Sequence, residues 1–196
     1  MMGRSREFNN AEALSKAMHL FWEKGYENTS LKELLETMGI LNGSFYHSYG
    51  NKRQLFIEAM KFYENDFSQK RAMLFKNPNM SFKKKIRILF MHVLDRQEAS
   101  VCPKGCFLFN SVSFEILKDV ELFKLVRKGI EEFENFLETE ITLAIRKKEI
   151  RESVNPKLTA SLLVTYVQGL MKLCVLDYSD SKFRNQVEYF LESLRL

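Results

Sequence analysis

Hydrophobic residues recur at helical spacing along most of the 196-residue chain. In the segment 81–100, the positions i, i+4, i+7, i+8 and i+11 are occupied by Phe82, Ile86, Leu89, Phe90 and Val93. This is the period of one face of an α-helix, whereas a half-buried strand would alternate at every second residue. Only three prolines and eight glycines interrupt the pattern, and we therefore predict an all-α fold.

Helix breakers divide this pattern into a series of predicted helices. Asn77-Pro78-Asn79 and Cys102-Pro103-Lys104-Gly105 interrupt it, and Asn155-Pro156 is typical of a helix start. We expect helices at about 9–24, 31–38, 42–48, 51–76, 81–100, 106–117, 120–147, 156–177 and 180–194.

The second and third of these helices are short and are joined by a tight turn. Ser30 and Glu33 form a capping box, in which each side chain accepts a hydrogen bond from the backbone amide of the other residue. An apolar stripe follows, and Gly39 stands where a left-handed residue ends the helix. The next helix buries Phe45 and leaves its polar side chains facing outwards. This is the arrangement of a helix-turn-helix, whose second helix lies in the DNA major groove.

Over about 45 residues the chain resembles the DNA-binding domain of the TetR (tetracycline-repressor) family of bacterial transcriptional regulators. Residues 20–26 resemble the family's end of helix one, and the spacing of its recognition-helix motif is matched by Gly39, Gly43, Tyr46, Tyr49, Asn51, Lys52 and Leu55. Leu41 departs from the pattern, because the family usually has Ser or Thr there as the helix cap. Either Asn42 takes that role or the helix starts one residue later.

The resemblance implies two domains. Residues 1–55 would form an N-terminal three-helix, helix-turn-helix DNA-binding domain, and residues 56–196 a larger C-terminal helical domain for effector binding and dimerisation. We expect the boundary to fall inside the fourth helix, which would belong to both halves.

The predicted base contacts are Asn42, Ser44 and His47, with Gly43 allowing close approach of the backbone. The resemblance places Tyr46 and Lys52 on phosphates, with Lys32 reaching from the preceding helix. The whole predicted DNA-binding set is Arg4, Arg6, Ser30, Lys32, Asn42, Gly43, Ser44, Tyr46, His47 and Lys52. The alternative is a helical hairpin with a solvated polar face, which the matched spacing disfavours.

The positions of the basic residues support DNA binding more than the net charge of the chain does. The net charge is +5 and the pI about 9.0, but residues 1–55 carry seven Lys or Arg against six Asp or Glu. Cations nevertheless flank the proposed recognition helix where phosphates would run, and Arg53 is one of them.

The C-terminal part is rich in Phe and Met, and most of these residues are expected to form its core. The resemblance implies an effector cavity among the fourth to eighth helices, enclosed by such side chains with a few polar groups. The candidates, about half of which we expect to line a pocket, are Tyr63, Phe67, Phe90, Phe109, Phe114, Phe133 and Met171. They favour a small hydrophobic effector.

Cys106 has several interpretations. A metal site with Cys102 lacks a second ligand pair, and a catalytic Cys–His pair lacks a carboxylate partner. A redox or electrophile sensor is an open alternative, since a helix N-terminus and Lys104 would both favour the thiolate. The competing interpretation is a small buried hydrophobic residue, as we expect for Cys174.

The last two helices are predicted to pair with those of a second copy in a four-helix bundle, because the 156–177 helix is apolar almost all round. The predicted interface residues are Leu163, Val167, Leu170, Phe183, Val187 and Phe190.

We therefore predict a cytoplasmic, ligand-responsive transcriptional regulator, most simply a repressor, that is not an enzyme. Its partners would be double-stranded operator DNA, a small hydrophobic effector and a second copy of itself. No cofactor, no metal and no membrane span are expected, since no apolar run reaches 18 residues and no signal peptide is visible. A distant alternative is a small helical lipid-binding protein or enzyme, although no nucleophile–base pair is present in the sequence.

Overall fold

The computed structural model describes residues 10–98, 103, 105–176 and 179–194. These residues form ten helices and no strand, which confirms the predicted all-α fold. The helices are α1 (Asn10–Lys24), α2 (Leu31–Met38), α3 (Asn42–Tyr49), α4 (Lys52–Phe75), α5 (Phe82–Glu98), α6 (Phe107–Asn110), α7 (Phe114–Lys118), α8 (Val120–Arg146), α9 (Pro156–Leu176) and α10 (Asp180–Ser193).

Helices α1 to α3 and the first half of α4 pack around one hydrophobic core. Phe21, Leu34, Phe45 and Phe56 are each at most 1% exposed in it. The same core continues into the C-terminal part through Phe107 of α6, whose ring lies 5.8 Å from that of Phe56. The two predicted domains therefore share buried surface, and the boundary near residue 55 stays a prediction.

A second core holds the C-terminal helices together. It is formed by α5, α8, α9 and α10 with the end of α4, and Ile86, Ile141, Leu163 and Val187 lie at its centre. Helix α9 packs along α8 and α5. By length and composition α9 is apolar enough to cross a membrane, which the sequence analysis did not predict. Its burial against α8 and α5 accounts for one face of that apolar surface.

The predicted helix at 106–117 is wrong, because two short helices occupy the segment. Helix α6 ends at Asn110, and Ser111 donates its hydroxyl to the carbonyl oxygen of Phe107. Helix α7 then starts with its own cap, since the hydroxyl of Ser113 accepts from the backbone amide of Ile116. The Ser113 side chain thus satisfies an amide that a continuous helix would have paired internally, and the Ser111 hydroxyl adds a second hydrogen bond to a carbonyl that the Ser111 amide already contacts.

An ion-pair cluster ties the start of α4 to the start of α8. The Arg53 guanidinium donates two hydrogen bonds to Asp119, at 2.8 and 2.9 Å, and one to Glu121 at 2.7 Å. Asp119 is also the N-cap of α8. Its pKa is held well below its usual range by the Arg53 hydrogen bonds and by backbone amides of α8. Arg53, which is predicted to lie beside phosphates, is thus engaged in ion pairs within the protein.

Candidate nucleic-acid interface and internal cavity

The turn between α2 and α3 has the geometry that the sequence predicts. The Ser30 hydroxyl accepts from the Glu33 amide at 3.2 Å, and Glu33 accepts from the Ser30 amide at 2.8 Å. Gly39 adopts a left-handed conformation with φ of 69°. Hydrogen bonds from Lys24 and Ser30 lower the pKa of Glu33 to about 2. The capping box and the turn glycine are therefore confirmed.

Helix α3 begins at Asn42 with Leu41 as its N-cap residue. Leu41 makes no side-chain capping hydrogen bond and is 80% exposed. Neither alternative for this departure from the family pattern occurs, because Asn42 is already the first helical residue. The backbone amides in the first turn of α3 therefore find no hydrogen-bond acceptor in the side chain of Leu41.

Helix α3 buries one face and exposes the other. Phe45 is fully buried and Tyr49 is 6% exposed, so these two rings fix the helix on the core. The hydroxyl of Tyr49 also donates to Oδ1 of Asn10 at 2.7 Å, which joins α3 to α1. The opposite face is exposed and carries the predicted DNA contacts Asn42, Gly43, Ser44, Tyr46 and His47.

The predicted DNA contacts outside α3 differ in their exposure and in their partners within the protein. The side chain of Lys32 is 85% exposed, with Glu36 at 4.0 Å. Ser30 is exposed but occupied by the capping box. The Lys52 amine lies 4.5 Å from the centroid of the Tyr26 ring, and partial burial lowers its pKa.

Arg4 and Arg6 lie outside the described residues. Contact of the whole predicted set with DNA stays a prediction.

A small cavity lies between α4, α5, α6, α8 and α9. Its volume is about 40 Å³, which is on the scale of a few water molecules at most. Its wall is lined by Tyr63, Glu64, Phe67, Leu89, Val93, Cys106, Leu108, Phe109, Gly129, Ile130, Phe133, Val167, Gln168 and Met171. Five residues that the sequence analysis proposed for an effector pocket thus surround one space, although their role in binding stays a prediction.

One of the proposed pocket residues, Phe90, is not part of that wall. Phe90 is 1% exposed and packs instead against Tyr166 and Phe190, with ring centroids at 5.8 and 6.2 Å. Its assignment to the pocket is wrong, because the α5 face that carries it meets α9 and α10. The side chain of Phe114 lies outside the described part of the chain.

The cavity wall contains one charged residue, Glu64, which the sequence pattern does not single out and which pairs with Arg71 behind the wall. Glu64 accepts a hydrogen bond from Arg71 at 3.2 Å, and their side chains are only 17% and 6% exposed. The Arg71 guanidinium lies over the rings of Phe67, Phe133 and Phe136 at 5.2 to 5.3 Å. Burial raises the pKa of Glu64 and lowers that of Arg71. The available sequence signal was a pair of opposite charges seven residues apart, on one face of a helix lined by aromatic residues.

Cys106 lies in the cavity wall as a buried thiol. Its sulfur is 3.6 Å from the Tyr63 hydroxyl. Burial raises the pKa of the Cys106 thiol, and hydrogen bonds from the amides of Phe109 and Leu108 and from Tyr63 only partly oppose that shift. The sequence predicts that a helix N-terminus and Lys104 favour the thiolate, but desolvation of Cys106 outweighs the hydrogen bonds that favour it. Lys104 and Cys102 lie outside the described residues.

The predicted dimer residues are mostly internal. Leu163, Val167, Leu170, Phe183 and Val187 are each at most 4% exposed, because they pack α9 and α10 onto α5 and α8. Their assignment to the interface is therefore wrong. Phe190 is half-buried, with its ring stacked on Tyr166 at 3.7 Å.

The outward face of α9 carries a different apolar stripe. It consists of Leu158, Leu162, Leu173 and Leu176, which are 43% to 81% exposed and lie on one side of the helix.

This combination of an exposed second helix, a fixed turn and a buried anchoring face defines a helix-turn-helix DNA-binding protein. Residues 13–59 match the family model for bacterial regulatory proteins of the tetR family. Residues 83–190 match the model for the tetracyclin repressor-like C-terminal domain.

Individual relatives agree with the family models. The HTH-type transcriptional regulator YezE of Bacillus subtilis strain 168 is 34% identical over 134 residues, which are 68% of this chain and 69% of YezE. The HTH-type transcriptional repressor ComR of Escherichia coli K12 is 32% identical over 56% of this chain and 52% of ComR. The regulator CifR, solved with a 26-base-pair operator DNA, superposes with a TM-score of 0.86 at 23% identity, covering 96% of this chain and 98% of CifR.

The chain therefore belongs to the TetR family of bacterial transcriptional regulators. It is a DNA-binding regulator and not an enzyme, which confirms that part of the prediction and removes the alternative of a small helical enzyme.

Proposed function

We propose that this regulator is a repressor that binds a palindromic operator as a homodimer and releases it when a small hydrophobic molecule occupies the internal cavity. The observation that carries the proposal is the exposed polar face of α3, held on the core by Phe45 and Tyr49. Two such helices, about 34–36 Å apart in a dimer, fit successive major grooves. We also propose that the protein acts in the cytoplasm, where operator DNA lies.

DNA contacts divide into two kinds with separate tests. Asn42 and His47 are proposed to read bases, so Asn42→Ala and His47→Ala should lose about 1–3 kcal/mol of discrimination between operator and altered sites. Lys52→Ala should weaken binding to all sequences and reduce the salt slope by about one unit. Lys157→Ala at the start of α9 is a matched control, because this exposed lysine lies in the other half of the chain.

A gel shift on the DNA upstream of the protein's own coding region tests the proposal directly. We expect a specific complex at modest salt that survives excess random DNA in the wild type and in Lys157→Ala. Absence of a shift would contradict operator binding at that site. Equal loss of specific and random-sequence affinity in His47→Ala would show that His47 positions the helix and does not read bases.

The effector part of the proposal rests on the cavity between α4 and α8. Its aromatic wall suits a hydrophobic molecule, and α4 joins that wall to the helix-turn-helix. A ligand changes operator affinity only if it binds the two conformations of the protein with different affinity. The small volume of the cavity supplies such a difference, since a bound molecule requires an expanded arrangement.

The dimer is proposed to form through the outward face of α9 with α10, where the exposed apolar stripe needs a cover. Leu162→Glu and Leu176→Glu should give folded monomers by light scattering, because these side chains are exposed in the protomer. Val167→Glu should instead unfold the protein, since Val167 is a core residue. Soluble dimers from both leucine variants would place the interface elsewhere.

A further inference from the structure

Only one of the two carboxylate oxygens of Glu64 has a hydrogen-bond partner. Its Oε1 accepts from Arg71, whereas its Oε2 is buried and has no hydrogen-bond partner. Buried polar atoms without a partner are rare, so this oxygen calls for an explanation. It lies in the cavity wall near Gly129, where a Cβ added to the glycine would be 3.6 Å from it.

Glu64 also borders a second space. A groove of about 270 Å³ runs between α4 and α8 on the protein surface. Glu64, Leu108 and Gly129 line both this groove and the cavity. These three residues therefore form the partition between the two spaces.

Leu108 completes that partition, because its side chain packs directly against the backbone of Gly129. A Cβ at Gly129 would lie 2.8 Å from Cδ1 of Leu108, closer than real Cβ contacts allow. Glycine is unfavourable in the middle of a helix such as α8, so this close approach gives a reason for its presence. Rotation of the Leu108 side chain would join groove and cavity into one space.

The polarity of the partition indicates what the joined space accepts. Arg71 lies over Phe67 and Phe133 and pairs with Oε1 of Glu64. Its Nη1 is also buried without a partner, but Arg71 does not line the cavity, so the unpaired group at the cavity wall is Oε2. The oxygen that remains is an acceptor, and a second carboxylate placed beside it would be repelled. A hydrogen-bond donor would satisfy it.

We propose that an apolar molecule ending in a hydrogen-bond donor, an amine or a hydroxyl, enters between α4 and α8 at Leu108. Its tail binds among Phe67 and Phe133, and its donor binds Glu64 Oε2. This inference rests on the proposed function, because it names the chemistry of the effector and its route. Leu108 moves aside on binding and separates α4 from α8.

Isothermal titration calorimetry of the full chain with octylamine, octanol and octanoate compares three end groups on one hydrocarbon tail. We expect octylamine and octanol to bind at least about tenfold more tightly than octanoate. Glu64→Gln should weaken octylamine about tenfold and leave octanol within about threefold, since only the amine loses a charged partner. Glu58→Gln is the matched control on the same helix, because Glu58 lies outside the cavity wall.

Two further measurements test the route at Leu108 and the link to operator release. Leu108→Phe, which leaves the Glu64–Arg71 pair intact, should weaken both donor-bearing probes by obstructing the route. The inference is overturned if octanoate binds as tightly as octylamine, if Glu64→Gln leaves the amine preference unchanged, or if no probe binds below about 1 mM. A gel shift with octylamine separates the two proposals: binding at Glu64 without release of operator would contradict the proposed function and support the cavity assignment.

Discussion

Phe107 joins the DNA-binding helices to the C-terminal helices, and its removal should destabilise the whole protein. The ring is fully buried, with centroids of Tyr63, Phe56 and Trp22 at 5.6, 5.8 and 6.0 Å. Truncation of a buried Phe to Ala costs about 3–5 kcal/mol, because transfer free energy is lost and a cavity remains. A chain of this size loses about 2–4 °C of Tm per kcal/mol, so Phe107→Ala should lower Tm by about 6–20 °C.

Urea unfolding followed by helical circular dichroism measures this effect. Protein concentration must be matched between variants, since the apparent stability of the proposed dimer would depend on it. Trp22 fluorescence provides a local signal, because Trp22 is the chain's single tryptophan and contacts Phe107. Phe123→Ala on α8 is the control, with a 39% exposed ring and an expected loss below about 1 kcal/mol. A loss for Phe107→Ala no greater than that of the control would refute the reasoning.

Four further outcomes are expected. Leu41→Thr should stabilise the protein by about 1 kcal/mol in urea unfolding, since it supplies the missing cap of α3; no gain would mean that the cap is satisfied otherwise. The pKa of Glu33 is lowered from 4.5 to about 2 in the folded state. The ionised Glu33 carboxylate therefore stabilises the fold fully above about pH 4.5, and this stabilisation is lost as the pH falls towards 2. The difference in unfolding free energy between wild type and Glu33→Gln should shrink as the pH is lowered from 4.5 to 2; a difference that widens would contradict the assignment. Asp119→Asn keeps a capping oxygen but removes the negative charge that pairs with Arg53, so hydrogen–deuterium exchange at the starts of α4 and α8 should rise. Peroxide at neutral pH should leave operator binding unchanged because burial keeps Cys106 protonated; loss of binding that Cys106→Ser abolishes would establish a sensor.

Local signals in the sequence were sufficient for the helix-turn-helix. The capping box of Ser30 and Glu33, the left-handed Gly39 and the buried Phe45 each depend on residues within a few positions of one another. Such features are determined before tertiary packing, so a single sequence contains them. Leu41 was recognised as unusual, but only the structure shows that the helix start tolerates an uncapped first turn.

Long-range packing was harder to predict. Helix α9 is apolar on nearly every side, so its sequence does not show which face meets the protomer core and which meets solvent. Val167 and Leu163 were therefore assigned to the interface although they are buried. Arg53 was placed beside DNA because its partner Asp119 is 66 residues away in the sequence. Glu64 is not predictable as a cavity residue from the sequence, because the aromatic residues around it indicate an apolar core and its partner Arg71 is one more charge on the same helix.

In the proposed mechanism, the length of α4 would convert a small movement at the cavity into a larger one at the DNA. Glu64 stands twelve residues after Lys52 in one uninterrupted helix, so about 18 Å separates the cavity wall from the helix start beside α3. A tilt of about 5° around Glu64 displaces that start by about 1.6 Å. Hydrogen bonds to bases tolerate a range of only about 0.5 Å in length. Under the proposed mechanism, a rigid helix of this length would let a movement of α4 at Leu108 disengage the recognition helix from DNA, although the effector would not contact that helix.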